Sequence, residues 1–457
     1  MNRKMRSEGM QEVNDKMENS FVLTPEQRKD YSRHLMPCLK KPGGFSLKGG
    51  EGIYIEDLNG KKYMDFTSEQ FVCLLGFGNK EIAEAVYRQA LNMPMVAPLH
   101  QTDLRYSLYH KLASVAPKHL NRISFTIGGG LAIESAMKIA LKNVPGSRNF
   151  VSLYGGYHGT TFGTADGTFL SGRGDVKEAI NKSFFQYANK SEHHFIRTER
   201  PYCYRCPFGK EAGKCGLECA DCLKRTILCG VSGPVAGVII EPVQSGGGQI
   251  PFPKEYLKRV REICDEVGTV LIFDEIQTFG RTGKFFAAEY YDVEPDIIVF
   301  AKGVGGGIPI GGILIHDRLE GFDNLMEDMQ TFQNNHLSYA AAMKTIEIIE
   351  RDRLLANAVA TGSYMTDRLK KMQQKFGFIG DVRGPGLAIG VELVKDPVTK
   401  DPVEEETMNK LFERCVRHGL FYQAAHNIIK LKPPLIISME QAETAMDILE
   451  ECFDEGL

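Results

Sequence analysis

The sequence predicts an α/β fold in which a mostly parallel sheet is flanked by helices and followed by a smaller α+β domain. Short apolar, β-branched runs alternate with amphipathic helical stretches through the middle of the chain. Strands separated by helices need crossover connections, which are the connections of parallel sheets. From about Thr331 the pattern changes to a long helical zone followed by a short hairpin. The last third is therefore predicted to form the smaller domain.

Five runs in the middle of the chain have the length and composition of buried strands. They are NFVSLYGG, VAGVIIEPV, TVLIFDEI, DIIVFAKG and GGILIH. Two helical patterns lie among them, LAIESAMKIALKN before the first run and EYLKRVREICDEVG between the second and third. The second helix is predicted to end at Gly268, because glycine readily adopts the left-handed conformation that closes many helices.

The flanking regions complete the predicted domain organisation. EGIYIEDLNGKKYMDF predicts a hairpin around Asn59–Gly60, since Asn-Gly is a strong turn signal. DVRGPGLAIGVELV predicts a second hairpin, and MNKLFERCVRHG a late helix. The predicted parts are a flexible tail at 1–20, an N-terminal segment at 21–70 that joins the small domain, a large domain at 71–330 with a cysteine-rich insertion at 201–225, and the small domain at 331–457.

Composition excludes several classes of partner. With 457 residues, 43% hydrophobic and 25% charged, the chain can bury one large core and a second, smaller one. The net charge of −3 provides no basic field, so neither nucleic acid nor a membrane surface is expected as a partner. No apolar run approaches the roughly 20 residues of a membrane helix. Eleven cysteines, together with a polar N-terminus that lacks a signal core, favour reduced thiols and a cytoplasmic location.

Two features indicate a site for a flat anionic molecule. Gly128, Gly129 and Gly130 directly precede a predicted helix, where backbone N–H groups and the helix dipole favour an anion; a flexible turn is the alternative. Tyr157 and His158 directly follow a predicted strand, where an aromatic face could cover a flat ring. Core packing is the simpler interpretation of these two side chains.

Two charged residues follow apolar strands. Asp274 ends one strand, and a buried acid needs a cation or a strong donor. An N-cap or a core salt bridge would also satisfy it. Lys302 ends another strand, where a desolvated amine would have a lowered pKa and be nucleophilic; a solvated surface lysine is the common alternative. An anion site, an acid, an amine and an aromatic cover are together what pyridoxal phosphate needs for its phosphate, ring nitrogen, aldehyde and ring face.

The chain resembles the class III, or ω-type, aminotransferases of the fold-type I pyridoxal-phosphate enzymes. The resemblance runs from about residue 45 to 450 and rests most on the order and spacing of IIEPVQ, IFDEIQTFGRTG and PDIIVFAKGVGGGIPIGG. It implies a seven-stranded, mostly parallel sheet in the large domain and a homodimer whose two chains share each active site. It also implies an aminotransferase activity between an amino acid or ω-amine and a 2-oxo acid. Lyases acting on a small amino compound, such as an aminophosphonate, and racemases share the scaffold and remain alternatives.

The resemblance also assigns roles to individual residues. Lys302 would form the Schiff base with the cofactor and shuttle the proton, and Asp274 would keep the pyridine nitrogen protonated. The two would be the catalytic residues. Phe71 and Lys430 would contact the substrate. The cofactor contacts it implies are Gly129, Gly130, Tyr157, His158, Glu241, Asp274, Ile276, Gln277, Lys302 and, from the second subunit, Thr331.

Departures from the family pattern fall at both ends of the site. The phosphate turn has Gly130 and Leu131 where a hydroxyl residue and an acid are usual. Lys430 stands where many members have a carboxylate-binding arginine, and Gly246 where some have a glutamate. Lysine is a compact point charge without arginine's planar fork. Carboxylate binding through Lys430 and binding of another anion, such as phosphonate, phosphate or sulfonate, are both open.

A cysteine cluster lies in the insertion. Cys203, Cys206, Cys215, Cys219 and Cys222 contain two C-x-x-C pairs, which can hold zinc or an iron–sulfur cluster. Reduced, packed thiols are the preferred interpretation, and no metal is expected.

Overall fold

The computed structural model describes residues 23–36, 46–169 and 195–457. The described residues divide into two units. Residues 23–36, 46–48 and 57–60 form the first, and residues 49–56 with the rest from 61 onwards form the second. The first unit contains the helix Pro25–Tyr31, which begins with a capping box between Thr24 and Gln27. The predicted tail at 1–20 lies outside the described residues.

The second unit is built on a seven-stranded sheet. Its strands, from one edge to the other, are Leu120–Thr126, Gly311–His316, Ile297–Ala301, Val270–Asp274, Val235–Ile240, Asn149–Leu153 and Phe195–Thr198. Neighbouring strands are parallel, except that Gly311–His316 runs antiparallel to both of its neighbours. The central strands are buried along their whole length, as expected when helices cover both faces. The predicted fold class and strand number are confirmed.

Helices cover the sheet and continue into the C-terminal part of the chain. Gly129–Asn143 and Lys254–Val267 match the two predicted helices, and Gly268 closes the second with φ +71°. The predicted helical zone from Tyr339 is interrupted at Arg353, whose φ is +54°. Further helices are Lys80–Asn92, Asp103–Val115, Glu218–Cys229, Ala287–Tyr291, His336–Arg351, Leu354–Lys375, Glu405–Arg417 and Met439–Asp454, and Ser68–Phe71 forms a short helical turn.

Both predicted hairpins are present. Tyr54–Asp57 pairs antiparallel with Lys62–Asp65, and Ile379–Arg383 pairs antiparallel with Ile389–Leu393. The second hairpin is extended by further antiparallel strands, Ile428–Leu431 and Gln423–Ala425. Other short strands are Leu47–Glu51, Leu420–Phe421, Val243–Gln244 and Ile250–Pro251.

Lys62–Asp65 also pairs in parallel with the C-terminal strand Leu420–Phe421. The N-terminal segment thus reaches the C-terminal part of the chain within the second unit. The predicted boundary at 330/331 stays a prediction. None of the helices in the described residues is long and apolar enough to cross a lipid bilayer.

Candidate active site

A cavity of about 210 Å³ opens at the carboxyl ends of the parallel strands. This edge is where open α/β sheets place their ligand sites, because the turns that follow several strands meet there. The lining residues come from four such turns and from the start of one helix. They are Gly129, Gly130, Tyr157, His158, Gly159, Thr160, Thr161, Glu241, Asp274, Ile276, Gln277 and Lys302.

One end of the cavity is the N-terminus of the helix Gly129–Asn143. Its N-cap is Gly128, which provides no side-chain hydrogen bond to the first turn, so backbone N–H groups are left for a ligand. Two of the three glycines are closely packed against neighbouring side chains. A Cβ atom on Gly129 would lie 2.8 Å from Ile276 Cδ1, and one on Gly130 would lie 2.8 Å from Thr161 Cγ2. The turn is therefore shaped for an anion that contacts backbone.

The other end holds a buried acid paired with a histidine. Asp274 is the last residue of its strand and is 4% exposed. Its Oδ2 lies 2.8 Å from His158 Nδ1, and its Oδ1 accepts a hydrogen bond from the backbone of Ile276. Burial lowers the pKa of His158, but the hydrogen bond and the charge of Asp274 raise it above its ordinary value. His158 thus holds one oxygen of Asp274 and leaves the carboxylate facing the cavity.

Glu241 is the second buried acid of the cavity. It accepts the backbone N–H groups of Tyr157 and Ser245 at 2.9 and 3.0 Å. These bonds join the turn that carries Tyr157 to the turn after the strand Val235–Ile240. Burial raises the pKa of Glu241, and the charge of Asp274 adds to this. Glu241 therefore holds together the two turns that form this part of the cavity wall.

Lys302 follows the strand Ile297–Ala301 and points into the same cavity. Its backbone has φ +49°, a left-handed conformation that costs a non-glycine residue about 1 kcal/mol or more. Burial lowers the pKa of its ammonium group, and the charges of Asp274 and Glu241 offset part of that change. A strained, desolvated lysine of this kind is poised to act as a base or nucleophile.

Nine of the predicted cofactor contacts therefore meet in one cavity, and three predicted site residues lie outside its lining. Thr331 is solvent-exposed. Phe71 and Lys430 lie beside the cavity, with the Nζ atoms of Lys302 and Lys430 each 5.5 Å from the centre of the Phe71 ring. Their placement fits the predicted substrate side of the site.

The sequence reasoning missed Lys432 and Thr161. Lys432 is fully buried, its Nζ lies 4.2 Å from the centre of the Phe71 ring, and it donates to Ser245 Oγ and Gln277 Oε1. Thr161 lines the phosphate end and donates to Glu134 Oε1. The alternation of side chains along a strand could have found Lys432, because it lies two residues after Lys430. No sequence signal marks Thr161.

The cysteines of the insertion do not converge on a metal site in the described structure. Cys203, Cys206, Cys215, Cys219 and Cys222 are all free thiols. Within residues 23–36, 46–169 and 195–457, no group of three or more His, Cys, Asp or Glu side chains has a geometry that could hold a metal ion.

Comparisons with family models and with known proteins indicate the same family. The model of the class-III aminotransferases matches residues 40–453. The chain is 36% identical over 402 residues to the leucine/methionine racemase of Thermococcus litoralis, which covers 86% of this chain and 87% of that protein. It is 32% identical over 436 residues to the (R)-1-hydroxy-2-aminoethylphosphonate ammonia-lyase of Vibrio splendidus, with 91% and 86% covered.

A solved structure with the same fold is the taurine:2-oxoglutarate aminotransferase of Bifidobacterium kashiwanohense, in complex with pyridoxal phosphate and glutamate. The TM-score is 0.84 at 28% identity, with 95% of this chain and 99% of that chain covered. The chain belongs to the class-III aminotransferase family. Its cofactor is pyridoxal phosphate, as predicted.

The residues present fit this cofactor. A phosphate matches the glycine turn, where a Cβ atom on Gly129 or Gly130 would lie within 3 Å of a neighbouring side chain. The pyridine nitrogen matches Asp274, a buried carboxylate that needs a positive partner. The aldehyde matches Lys302, whose amine lies in the same cavity. Ile276 and Tyr157 contribute apolar and aromatic surface to the lining.

Proposed function

We propose that the protein transfers an amino group between an amino acid or ω-amine and a 2-oxo acid. One observation carries the proposal: the buried amine of Lys302 shares a cavity with the paired carboxylate of Asp274 and the glycine turn at the start of the helix Gly129–Asn143. When bound, pyridoxal phosphate supplies an aldehyde for the substrate amine and a ring that withdraws electrons.

Individual residues of the chain would bind the cofactor, orient it and transfer the proton. Lys302 would hold the aldehyde through its amine and, once free, would move a proton at its Nζ atom, a role that its lowered pKa favours. Asp274 would keep a proton on the ring nitrogen, and His158 orients the carboxylate through the 2.8 Å contact. Gln277 has its Oε1 turned to Lys432, so its amide N–H groups are left for the phenolic oxygen of the ring. The glycine turn would bind the phosphate through backbone N–H groups.

A second candidate function is a lyase. It is favoured by the substrate side of the site, where Lys430 stands in place of the usual arginine and Gly246 in place of a glutamate. A leaving group on the carbon next to the reacting carbon would convert amino transfer into elimination, with the same Lys302 moving the proton. The lyase relative from Vibrio splendidus acts on an aminophosphonate, as its name states.

The experiment is a panel of amines given to the holoenzyme while the cofactor absorbance is followed. In amino transfer, an amine alone changes the absorbance once per site, and a 2-oxo acid restores it. Continuous release of ammonia without any 2-oxo acid identifies a lyase, and conversion of one enantiomer to the other identifies a racemase. An enzyme that shows no absorbance change with any amine contradicts the whole proposal.

We further propose that the protein is a homodimer. Thr331, expected to reach a cofactor phosphate, is exposed and lies outside the cavity of its own chain. It is surrounded in sequence by exposed apolar side chains, Met326, Met329 and Phe332. A second subunit covering them would bury apolar surface. A cytoplasmic location stays a proposal that rests on the cysteine content.

A further inference from the structure

Three lysines, of which Lys430 and Lys432 are buried, surround one aromatic ring beside the cavity. The Nζ atoms of Lys302, Lys430 and Lys432 lie 5.5, 5.5 and 4.2 Å from the centre of the Phe71 ring. Lys430 is on the strand Ile428–Leu431 and Lys432 follows it directly. Residues two apart on an extended chain point to the same side. The last two lysines therefore present their ammonium groups to the same region.

Lys432 is held in place by neutral acceptors. It is 0% exposed, and its Nζ donates to Ser245 Oγ at 2.8 Å and to Gln277 Oε1 at 3.0 Å. An ammonium group has three N–H donors and no acceptor. One N–H of Lys432 is left for a further partner, and the group is fixed in direction by the two bonds it makes.

Lys430 is a buried cation that lacks a polar partner. It is 8% exposed, and among the described residues its side chain forms neither a hydrogen bond nor an ion pair. The face of the Phe71 ring compensates its charge only in part. Buried charges are costly unless they are paired, so Lys430 is suited to an anion that arrives with a ligand.

Cations outnumber acids around this pair. Glu241 is the acid whose charge acts on both lysines, whereas Lys302 acts as a second cation on both and Arg281 on Lys432. Glu241 already accepts two backbone N–H groups. Burial, followed by these neighbouring cations, lowers the pKa of Lys430 to about 8 and that of Lys432 well below its ordinary value. An incoming anion would therefore keep both groups protonated.

We propose that Lys430 and Lys432 form a two-cation site for a doubly charged tetrahedral group, a phosphonate or a phosphate monoester, on the substrate. The inference rests on the proposed function for the reaction at the amine and specifies the acidic group at the other end. A doubly charged group can compensate both ammonium groups, whereas a single negative charge compensates only one of them. The planar carboxylate is the shape matched by arginine's fork, which this site lacks.

The test uses ligands without an amine, so that its outcome is independent of amino transfer. Propionate, ethanesulfonate and ethylphosphonate share an ethyl group and differ in the charge and shape of the acid. Calorimetry on the holoenzyme at pH 8 measures their dissociation constants, and ethyl phosphate serves as the phosphate arm. We expect ethylphosphonate and ethyl phosphate to bind at least tenfold more tightly than ethanesulfonate and propionate.

Variants assign the preference to the lysines. In Lys430→Met and in Lys432→Met, the preference for the doubly charged ligands should fall to threefold or less. The matched control Lys370→Met, at an exposed lysine of the helix Leu354–Lys375, should retain it. Equal affinities for all four ligands in the unchanged enzyme overturn the proposal without any variant. The proposal is also overturned if ethanesulfonate binds as tightly as ethylphosphonate. The same holds if the preference survives both lysine substitutions or disappears in the control variant.

Discussion

Replacing Asp274 by asparagine tests the central pair of the site. The substitution keeps the shape of the side chain and removes its charge. In the unchanged protein the carboxylate is 4% exposed, contacts His158 Nδ1 at 2.8 Å and accepts the N–H of Ile276 at 3.2 Å. The amide of asparagine can keep one of these hydrogen bonds, but it cannot compensate a positive ring nitrogen.

The magnitude follows from the burial of the pair. Removing one partner of a buried charge pair costs about 3–5 kcal/mol. Since each 1.36 kcal/mol corresponds to a factor of ten in rate, we expect turnover to fall by roughly 10²- to 10⁴-fold. The cofactor should remain bound, because Lys302 and the glycine turn are unchanged.

The assay combines turnover with the absorbance of the bound cofactor. Asp328→Asn is the control. Asp328 is also a buried acid, it bonds Ser135 and Lys138, and it is absent from the lining of the active-site cavity. Its substitution should affect stability and leave turnover within a few-fold. A turnover of Asp274→Asn within fivefold of the unchanged enzyme would remove Asp274 from the mechanism.

Four further predictions use other parts of the structure. Lys302→Ala should abolish both turnover and the absorbance of the cofactor joined to lysine; a variant that keeps this absorbance would place the bond on another residue. Burial lowers the pKa of Lys430 to about 8, so its ammonium group loses its proton above that pH and the KM for an anionic amine should rise above pH 8. Lys430→Arg should remove this rise in KM. A KM that stays constant up to pH 10 in the unchanged enzyme contradicts the assignment. Glu69 has φ +41°, so Glu69→Gly should be more stable than Glu69→Ala by about 1 kcal/mol in urea unfolding; the opposite order refutes the strain. Phe332→Asp should lower the mass measured by light scattering from dimer to monomer, since Phe332 is 55% exposed within one chain; an unchanged dimer excludes this surface.

The centre of the large sheet could be predicted from the sequence, and its edges could not. The five predicted strands are nearly continuous apolar runs, because strands covered on both faces have no polar side. The two missed strands, Leu120–Thr126 and Phe195–Thr198, are the edges of the sheet. They are only partly buried and contain charged residues such as Arg122 and Arg197. Composition alone does not distinguish such segments from loops.

The site residues also differ in how well the sequence predicts them. Lys302 and Asp274 could be predicted because each stands at the end of an apolar strand, where a buried charge is costly unless a partner compensates it. Lys432 is easily missed, because a lysine beside Pro433 in a late segment resembles a surface charge, and only its position two residues after Lys430 indicates a shared side. Its burial results from long-range pairing: the strand Ile428–Leu431 pairs with Ile389–Leu393. Sequence spacing contains no information about such pairing.

The turn Ser68–Phe71 shows how the chain maintains the geometry of the lysine pair. All four of its residues have positive φ although none is glycine, which is a costly arrangement. Hydrogen bonds to the carboxylate of Asp65 from Thr67 and Glu69 hold the turn.

The same turn is tied to Lys432 through the backbone. Ser68 Oγ donates to the carbonyl of Lys432, and the N–H of Lys432 donates to the carbonyl of Phe66. The strained turn thereby fixes the Phe71 ring against the ammonium groups by bonds that involve no lysine side chain. Lys432→Met keeps these backbone bonds, so it removes the charge and the side-chain bonds to Ser245 and Gln277 and leaves the turn in place. A loss of phosphonate preference in that variant is therefore an effect of the lysine side chain and not of the turn, and the strained turn serves to place the ring that the cations share.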